Sequence, residues 1–197
     1  SATGEKFPLP MQSGVTIFGE DGMDSVILDA EQTGSVFTSI DKSDCHLWNL
    51  TITGGEAPSG GGVYLMNTFA TIDSCKIVGN KATCQPHRYL PGHDNSIRGG
   101  GGIYHGMDYW SESYLVLKKS RIENNHSAST GGGIFCPSYY LTIGGSQTDG
   151  NYFGGNSSGQ GFGADISGGS QYVNARYNTF AYDFNSENIV YSFGIGF

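Results

Sequence analysis

Apolar and polar positions alternate along this chain in short runs, broken by glycine and asparagine. Leu50-Thr51-Ile52-Thr53-Gly54-Gly55 aligns with Cys75-Lys76-Ile77-Val78-Gly79-Asn80 and with Ser120-Arg121-Ile122-Glu123-Asn124-Asn125. Asn151-Tyr152-Phe153-Gly154-Gly155-Asn156 continues the series, and Asn178-Thr179-Phe180 ends it. Period-two alternation over so few residues predicts short strands rather than helices. Ile52, Ile77, Ile122, Phe153 and Phe180 fall at one inward position, at successive spacings of 25, 45, 31 and 27 residues.

A second motif repeats in phase. Gly60-Gly61-Gly62-Val63-Tyr64, Gly100-Gly101-Gly102-Ile103-Tyr104 and Gly131-Gly132-Gly133-Ile134-Phe135 match closely, and Gly161-Phe162-Gly163-Ala164-Asp165-Ile166 is a degenerate copy. A repeat of this length cannot bury its own apolar side chains, so successive repeats must stack. Stacked about 4.8 Å apart, each strand pairs with its equivalent in the next turn. The prediction is an all-β fold, a parallel β-helix with three sides and roughly six turns. Gly54, Gly79, Asn124 and Gly155 share a corner where positive φ is tolerated. Gly55, Asn80, Asn125 and Asn156 follow, where amides can hydrogen-bond up the stack. Gly14–Gly19, Ser25–Ala30 and Ser35–Phe37 read as earlier strands without the triple glycine.

The whole chain, 1–197, reads as a single solenoid domain. The uneven spacing marks two surface insertions, about 81–99 and 105–114. Solenoid insertions become outer loops, frequently on the binding face. The first carries Cys84, His87, Arg88, His93, Asp94 and Arg98, and the second carries Asp108, Tyr109, Trp110 and Glu112. Arg88, His93, Asp94 and Arg98, with His105 and Asp108 in reach, are the candidates for a general acid/base pair or a metal site. The competing reading is a polar surface loop, because the histidine spacing matches no metal motif. Asp21-Gly22-Met23-Asp24 is the one stretch suggestive of calcium. It lacks the alternating ligand series of a calcium loop and reads as a turn, so no cofactor is expected.

Tyr64, Tyr104 and Phe135 stack beside inward Val63, Ile103 and Ile134, so alternation sends the rings outward. With Tyr109 and Trp110 they form the candidate ligand-binding set, suited to stacking on sugar rings. The alternative is that the inserted loops cover this ladder and make it a satellite core.

Composition narrows the function classes. Of 197 residues 32 are glycine, without a collagen period, and the low charged fraction with many aromatics is wrong for a disordered chain. The net charge of −8 argues against nucleic acid or an anionic membrane as partner. It also repels a polyanionic substrate such as pectin or alginate, unless a local basic groove overrides it. No apolar run is long enough to span a membrane. Cys45, Cys75, Cys84 and Cys136 include no CxxC pair. An even count permits two disulfides, but Cys45 and Cys75 read better as small buried core residues.

The runs Gly4-Glu5-Lys6-Phe7-Pro8-Leu9, Ser13–Glu20 and Val26–Ala30 resemble secreted bacterial right-handed β-helix repeat proteins, relatives of the pectate-lyase-like superfamily. The Leu50–Gly55 segment, the Gly-Gly-Gly-Ile-Tyr units and the stretch from Phe162 to Phe180 are similar to the same family. The resemblance covers nearly the whole chain. It implies a right-handed solenoid at an extracellular or cell-surface location, expected here as a mature chain or an excised piece of a longer protein. Lyases on this fold use an Arg or Lys base with acidic calcium ligands, and hydrolases need facing carboxylates. The acids of this chain are scattered. The functional expectation is therefore a non-enzymatic structural or adhesive solenoid with a polysaccharide or cell-surface glycan as ligand. The alternative is a polysaccharide lyase or glycoside hydrolase. Such proteins usually open with a capping segment that this chain lacks. Its other end, Ile189–Phe197, is apolar and charge-free; it can fold back as a cap, add a strand to a neighbour or mark a cut point in a longer chain, and self-association through the solenoid ends or a missing continuation is expected over a self-contained monomer.

Overall fold

The computed structural model describes residues 4–84, 99–107, 112–138, 140–159, 163–168 and 172–181. Within them all regular structure is strand, and every strand pairing is parallel. The chain visits its sheets in rotation, each turn adding at most one strand to a sheet, and so winds a right-handed parallel β-helix. Sheet A contains Leu9–Pro10, Phe37–Ile40, Val63–Met66, Ile103–Gly106, Ile134–Phe135 and Ile166–Ser167. Sheet B contains Thr16–Phe18, Cys45–Trp48, Phe69–Asp73, Tyr114–Lys118, Tyr140–Gly144 and Tyr172–Arg176. Sheet C contains Ile27–Asp29, Thr51–Thr53, Lys76–Val78, Arg121–Glu123, Tyr152–Gly154 and Thr179–Phe180.

A fourth side is present that the sequence pattern did not predict. Sheet D consists of two-residue strands: Glu56–Ala57, Lys81–Ala82, His126–Ser127 and Ser157–Ser158. These residues follow the asparagine corner and are too few to show a period of two. Lys81–Ala82 and His105–Gly106 are strand, so the ends of the two expected insertions belong to the solenoid itself. Residues 85–98 and 108–111 lie outside the described residues.

The core is a set of columns along the axis. Leu28, Ile52, Ile77, Ile122, Phe153 and Phe180 are in register in sheet C. Ile52, Ile77, Ile122 and Phe153 are fully buried, whereas Phe180, at the end of the column, is exposed and stacks on Phe153 at 4.9 Å. Phe37, Val63, Ile103, Ile134 and Ile166 form the matching column in sheet A. Ile77→Ala is expected to cost about 2–5 kcal/mol, the range for truncating a packed core residue. Lys76→Ala, which loses only a surface pair with Asp24 at 3.3 Å, is expected to cost under about 0.5 kcal/mol. Urea unfolding followed by circular dichroism measures both, and equal costs at the two positions would contradict the alternation.

The corner between sheets C and D follows the sequence pattern. Gly54, Gly79, Asn124 and Gly155 all have φ between 52° and 68°. The next position is an amide ladder. Asn80 Oδ1 accepts from the Gly55 N–H at 2.9 Å, Asn125 Oδ1 from the Asn80 N–H at 3.0 Å, and Asn156 Oδ1 from the Asn125 N–H at 3.0 Å. The three asparagines are buried. At the end of the ladder Asn156 Nδ2 donates to Asp165 Oδ1 at 2.8 Å. Burial pushes the Asp165 carboxyl above its ordinary range, and this hydrogen bond opposes the shift. The folded chain therefore holds that proton more tightly than the unfolded chain. The destabilising contribution is absent below the unfolded pKa and complete above the folded one. Asp165→Asn is expected to raise Tm at pH 7, with the gain shrinking as pH falls toward 3. A gain independent of pH would contradict this origin.

Candidate functional site

The outer face of sheet B carries the densest exposed chemistry among the described residues. Its strands alternate cleanly because Ala70, Ile72, Leu115, Leu117, Leu141 and Ile143 point into the core. Their neighbours therefore point out. Phe69, Tyr114, Tyr140 and Tyr172 are in register on four successive turns. Phe69 is 40% exposed and Tyr172 59%, with Tyr114 and Tyr140 half-buried between them. Tyr114 and Tyr140 lie 5.8 Å apart, and Tyr140 and Tyr172 stack at 5.0 Å. The Tyr114 hydroxyl is 3.1 Å from Thr142 Oγ1. The stacked Tyr140 and Tyr172 rings cover each other's inner faces, whereas the Tyr114 ring is tilted by 39° to that of Tyr140. The row therefore offers a ligand its ring edges, its phenol hydroxyls and the uncovered rings at its ends.

Beside this row runs a column of Thr16, His46, Thr71, Val116, Thr142 and Asn174. A third column starts with exposed Phe18 and Trp48, whose ring centroids are 6.3 Å apart. It continues through Asp73 and Lys118, which form an ion pair at 3.2 Å. An open groove of about 410 Å³ is cut into this face where it meets the turn from sheet A. Phe69, Ala70, Thr71, Tyr114 and Val116 line one side, and Ser43 to His46 line the other. His46 Nε2 lies 2.9 Å from Asp44 Oδ1, on side chains open to solvent. The volume falls within the range of about 300–1,000 Å³ common for small-ligand sites.

The ladder singled out from the triple-glycine motif is also present. Tyr64 and Tyr104 stack at 5.1 Å, and Tyr104 and Phe135 lie 5.9 Å apart. Tyr104 and Phe135 are each only 6% exposed, and Tyr64 is half-buried. Of the two readings of this ladder, burial favours the satellite core over the sugar platform. Tyr109 and Trp110, and the catalytic candidates Arg88, His93, Asp94 and Arg98, lie outside the described residues, as does Ile189–Phe197. Asp21–Asp24 forms a turn in which the Ser25 hydroxyl donates to the Asp21 carbonyl at 2.9 Å. No group of three potential metal ligands occurs among the described residues.

His105, grouped by sequence with the insertion, is instead fully buried at the corner between sheets A and B. Its Nε2 is 3.0 Å from the Thr68 carbonyl oxygen, which can only accept, so Nε2 carries the proton. Nδ1 faces the Ser138 hydroxyl at 2.7 Å and Cys136 Sγ at 3.4 Å. A serine, a histidine and a cysteine in contact have the composition of a nucleophilic site. Here all three are at most 1% exposed, and the arrangement satisfies polar groups inside the core. Cys45 and Cys75 are buried thiols as expected. Burial pushes Cys75 up to about 12 and raises Cys45 as well, which keeps both protonated and inert near neutral pH.

The sequence reasoning missed the outward row of sheet B. Its signal was the aromatic residue that opens each of the strands Phe69–Asp73, Tyr114–Lys118, Tyr140–Gly144 and Tyr172–Arg176. Compared with known proteins, the chain gives no match to a family model, to a curated protein or to a solved structure.

Proposed function

We propose that this chain is a non-enzymatic extracellular or cell-surface solenoid, structural or adhesive in role, that holds a glycan against the outer face of sheet B. The observation that carries this reading is the outward register of Phe69, Tyr114, Tyr140 and Tyr172 beside the groove. A sugar has apolar C–H faces and a hydroxyl rim, and it suits a surface where aromatic edges alternate with threonine, histidine and asparagine. A rigid stack of turns also repeats that surface at constant spacing, which fits a polymer better than a single small molecule. The groove is lined by one carboxylate, Asp44, whereas glycoside hydrolysis requires two or more facing each other.

Electrophoresis through gels containing dissolved polysaccharide tests the reading. At least one polysaccharide should retard the protein, without release of reducing ends or unsaturated product. The double variant Tyr140→Ala/Tyr172→Ala should lose most of the retardation, and Tyr64→Ala should keep it. Turnover that disappears in Arg88→Ala or Arg98→Ala would establish the lyase or hydrolase alternative instead. Retardation sensitive to Trp110→Ala but not to the sheet B variants would move the binding surface to the inserted loop.

A further inference from the structure

We infer that the groove beside Phe69 selects neutral glycan chains and excludes uronates, with Asp44 and His46 reading sugar hydroxyls at its rim. This deepens the carbohydrate reading above and rests on it. The argument is one of charge and shape. Recognition of a polyuronate needs a cation to meet each carboxylate, and arginine or lysine supplies it. Of the residues that line this groove, none is arginine or lysine. Lys42 belongs to the same turn but is not part of the lining, and Lys118 on the neighbouring column is held by Asp73 at 3.2 Å. The acid in the lining is Asp44, whose side chain is 76% exposed at the rim. One of its oxygens is held by His46 Nε2 at 2.9 Å, and the carboxylate still repels a uronate and accepts hydrogen bonds from neutral hydroxyls. The net charge of −8 adds a long-range field of the same sign.

The exposed lining of the groove is mostly apolar, as the C–H face of a pyranose requires, with its few polar groups at the rim. Phe69, Val116 and the Tyr114 ring give an apolar floor for a pyranose face. Thr71, Ser43, His46 and Asp44 ring it with donors and acceptors. Phe69 and Tyr114 sit on adjacent turns, about 4.8 Å apart along the axis, so neighbouring sugar units of one chain meet equivalent aromatic groups.

Isothermal titration with neutral hexasaccharides of xylose, mannose and galactose, and with oligogalacturonate, tests the inference on the whole chain. The expected result is binding of at least one neutral oligosaccharide, with oligogalacturonate weaker by about tenfold or more. Phe69→Ala should weaken neutral binding by about tenfold. Asp44→Asn should weaken it less and narrow the gap to the uronate. Thr71→Arg, which projects a long cation from an outward strand position, should block the groove to neutral sugars, and it covers the case in which Phe69→Ala fails to fold. Equal or tighter uronate binding that still depends on Phe69 would overturn the neutral assignment and leave the carbohydrate reading standing. Neutral binding indifferent to Phe69, Asp44 and Thr71 would overturn the groove. Absence of binding to every oligosaccharide and polysaccharide would overturn both.

Discussion

Gly101→Ala is expected to destabilise the fold by more than about 4 kcal/mol, in the extreme tail for single substitutions, and to leave little folded protein at 37 °C. The cause is space rather than backbone conformation. A Cβ at this position would sit 2.5 Å from the Gly132 carbonyl oxygen and closer still to that of His126. Both are backbone atoms held in the stack, one from the next triple-glycine turn and one from sheet D. Neither can swing aside as the tip of a side chain can. The three glycines of each motif thus have different duties. Gly60, Gly100, Gly131 and Gly163 supply φ between 55° and 74° at the corner. The second and third glycines let backbone approach backbone. Gly34→Ala is the control, because its Cβ would make ordinary contact with Pro8 at 3.7 Å, and it should change stability by less than about 0.5 kcal/mol. Thermal melts of the two variants give the comparison. A Gly101→Ala protein that melts within a few degrees of the native chain would show that the turns are not packed this closely.

Asn125→Ala is expected to cost about 3–5 kcal/mol, although the residue touches no surface. Its Oδ1 accepts from the Asn80 N–H at 3.0 Å and from Asn80 Nδ2 at 3.1 Å. Its Nδ2 donates to the Ile77 carbonyl at 2.9 Å and to Asn156 Oδ1 at 3.1 Å. Alanine removes all four bonds and leaves the Asn80 N–H buried without that acceptor. A buried orphan of this kind costs about 1–3 kcal/mol, and the cavity adds to it. Asn49→Ala is not an equivalent test, because that residue has positive φ at a different corner. Chemical denaturation at fixed pH measures the effect. A loss below about 1 kcal/mol would mean that water replaces the ladder and that the column is not sealed.

The sheet C columns were legible in the sequence because their residues recur in one local frame. Ile52, Ile77, Ile122 and Phe153 each sit two or three residues before a glycine or asparagine corner, so insertions elsewhere in the turn do not blur the alignment. The amide ladder was legible for the same reason. Sheet D was hidden because two-residue strands have no period. The corner between sheets B and C was hidden too. There the backbone N–H groups of Cys75, Ser120 and Asn151 donate up the stack to Ser120 Oγ, Asn151 Oδ1 and Asn178 Oδ1, but the residue type changes from turn to turn. His105 misled because it is polar and follows directly on a triple-glycine motif, whereas its partners Thr68 and Ser138 are distant in sequence. The outward row of sheet B escaped notice because the connections that precede its aromatics vary in length, from two residues before Phe69 to seven before Tyr114. Register across turns exists only once the turns are stacked, and that is the information a single sequence lacks.

The most direct test of the functional account is a crystal structure of the protein soaked with the oligosaccharide that binds it most tightly. The account predicts a sugar ring on the outer face of sheet B, in contact with Phe69 and Tyr114 and within hydrogen-bonding reach of Asp44 or His46. A sugar bound on any other face, with the groove of sheet B empty in the same crystal, would contradict it.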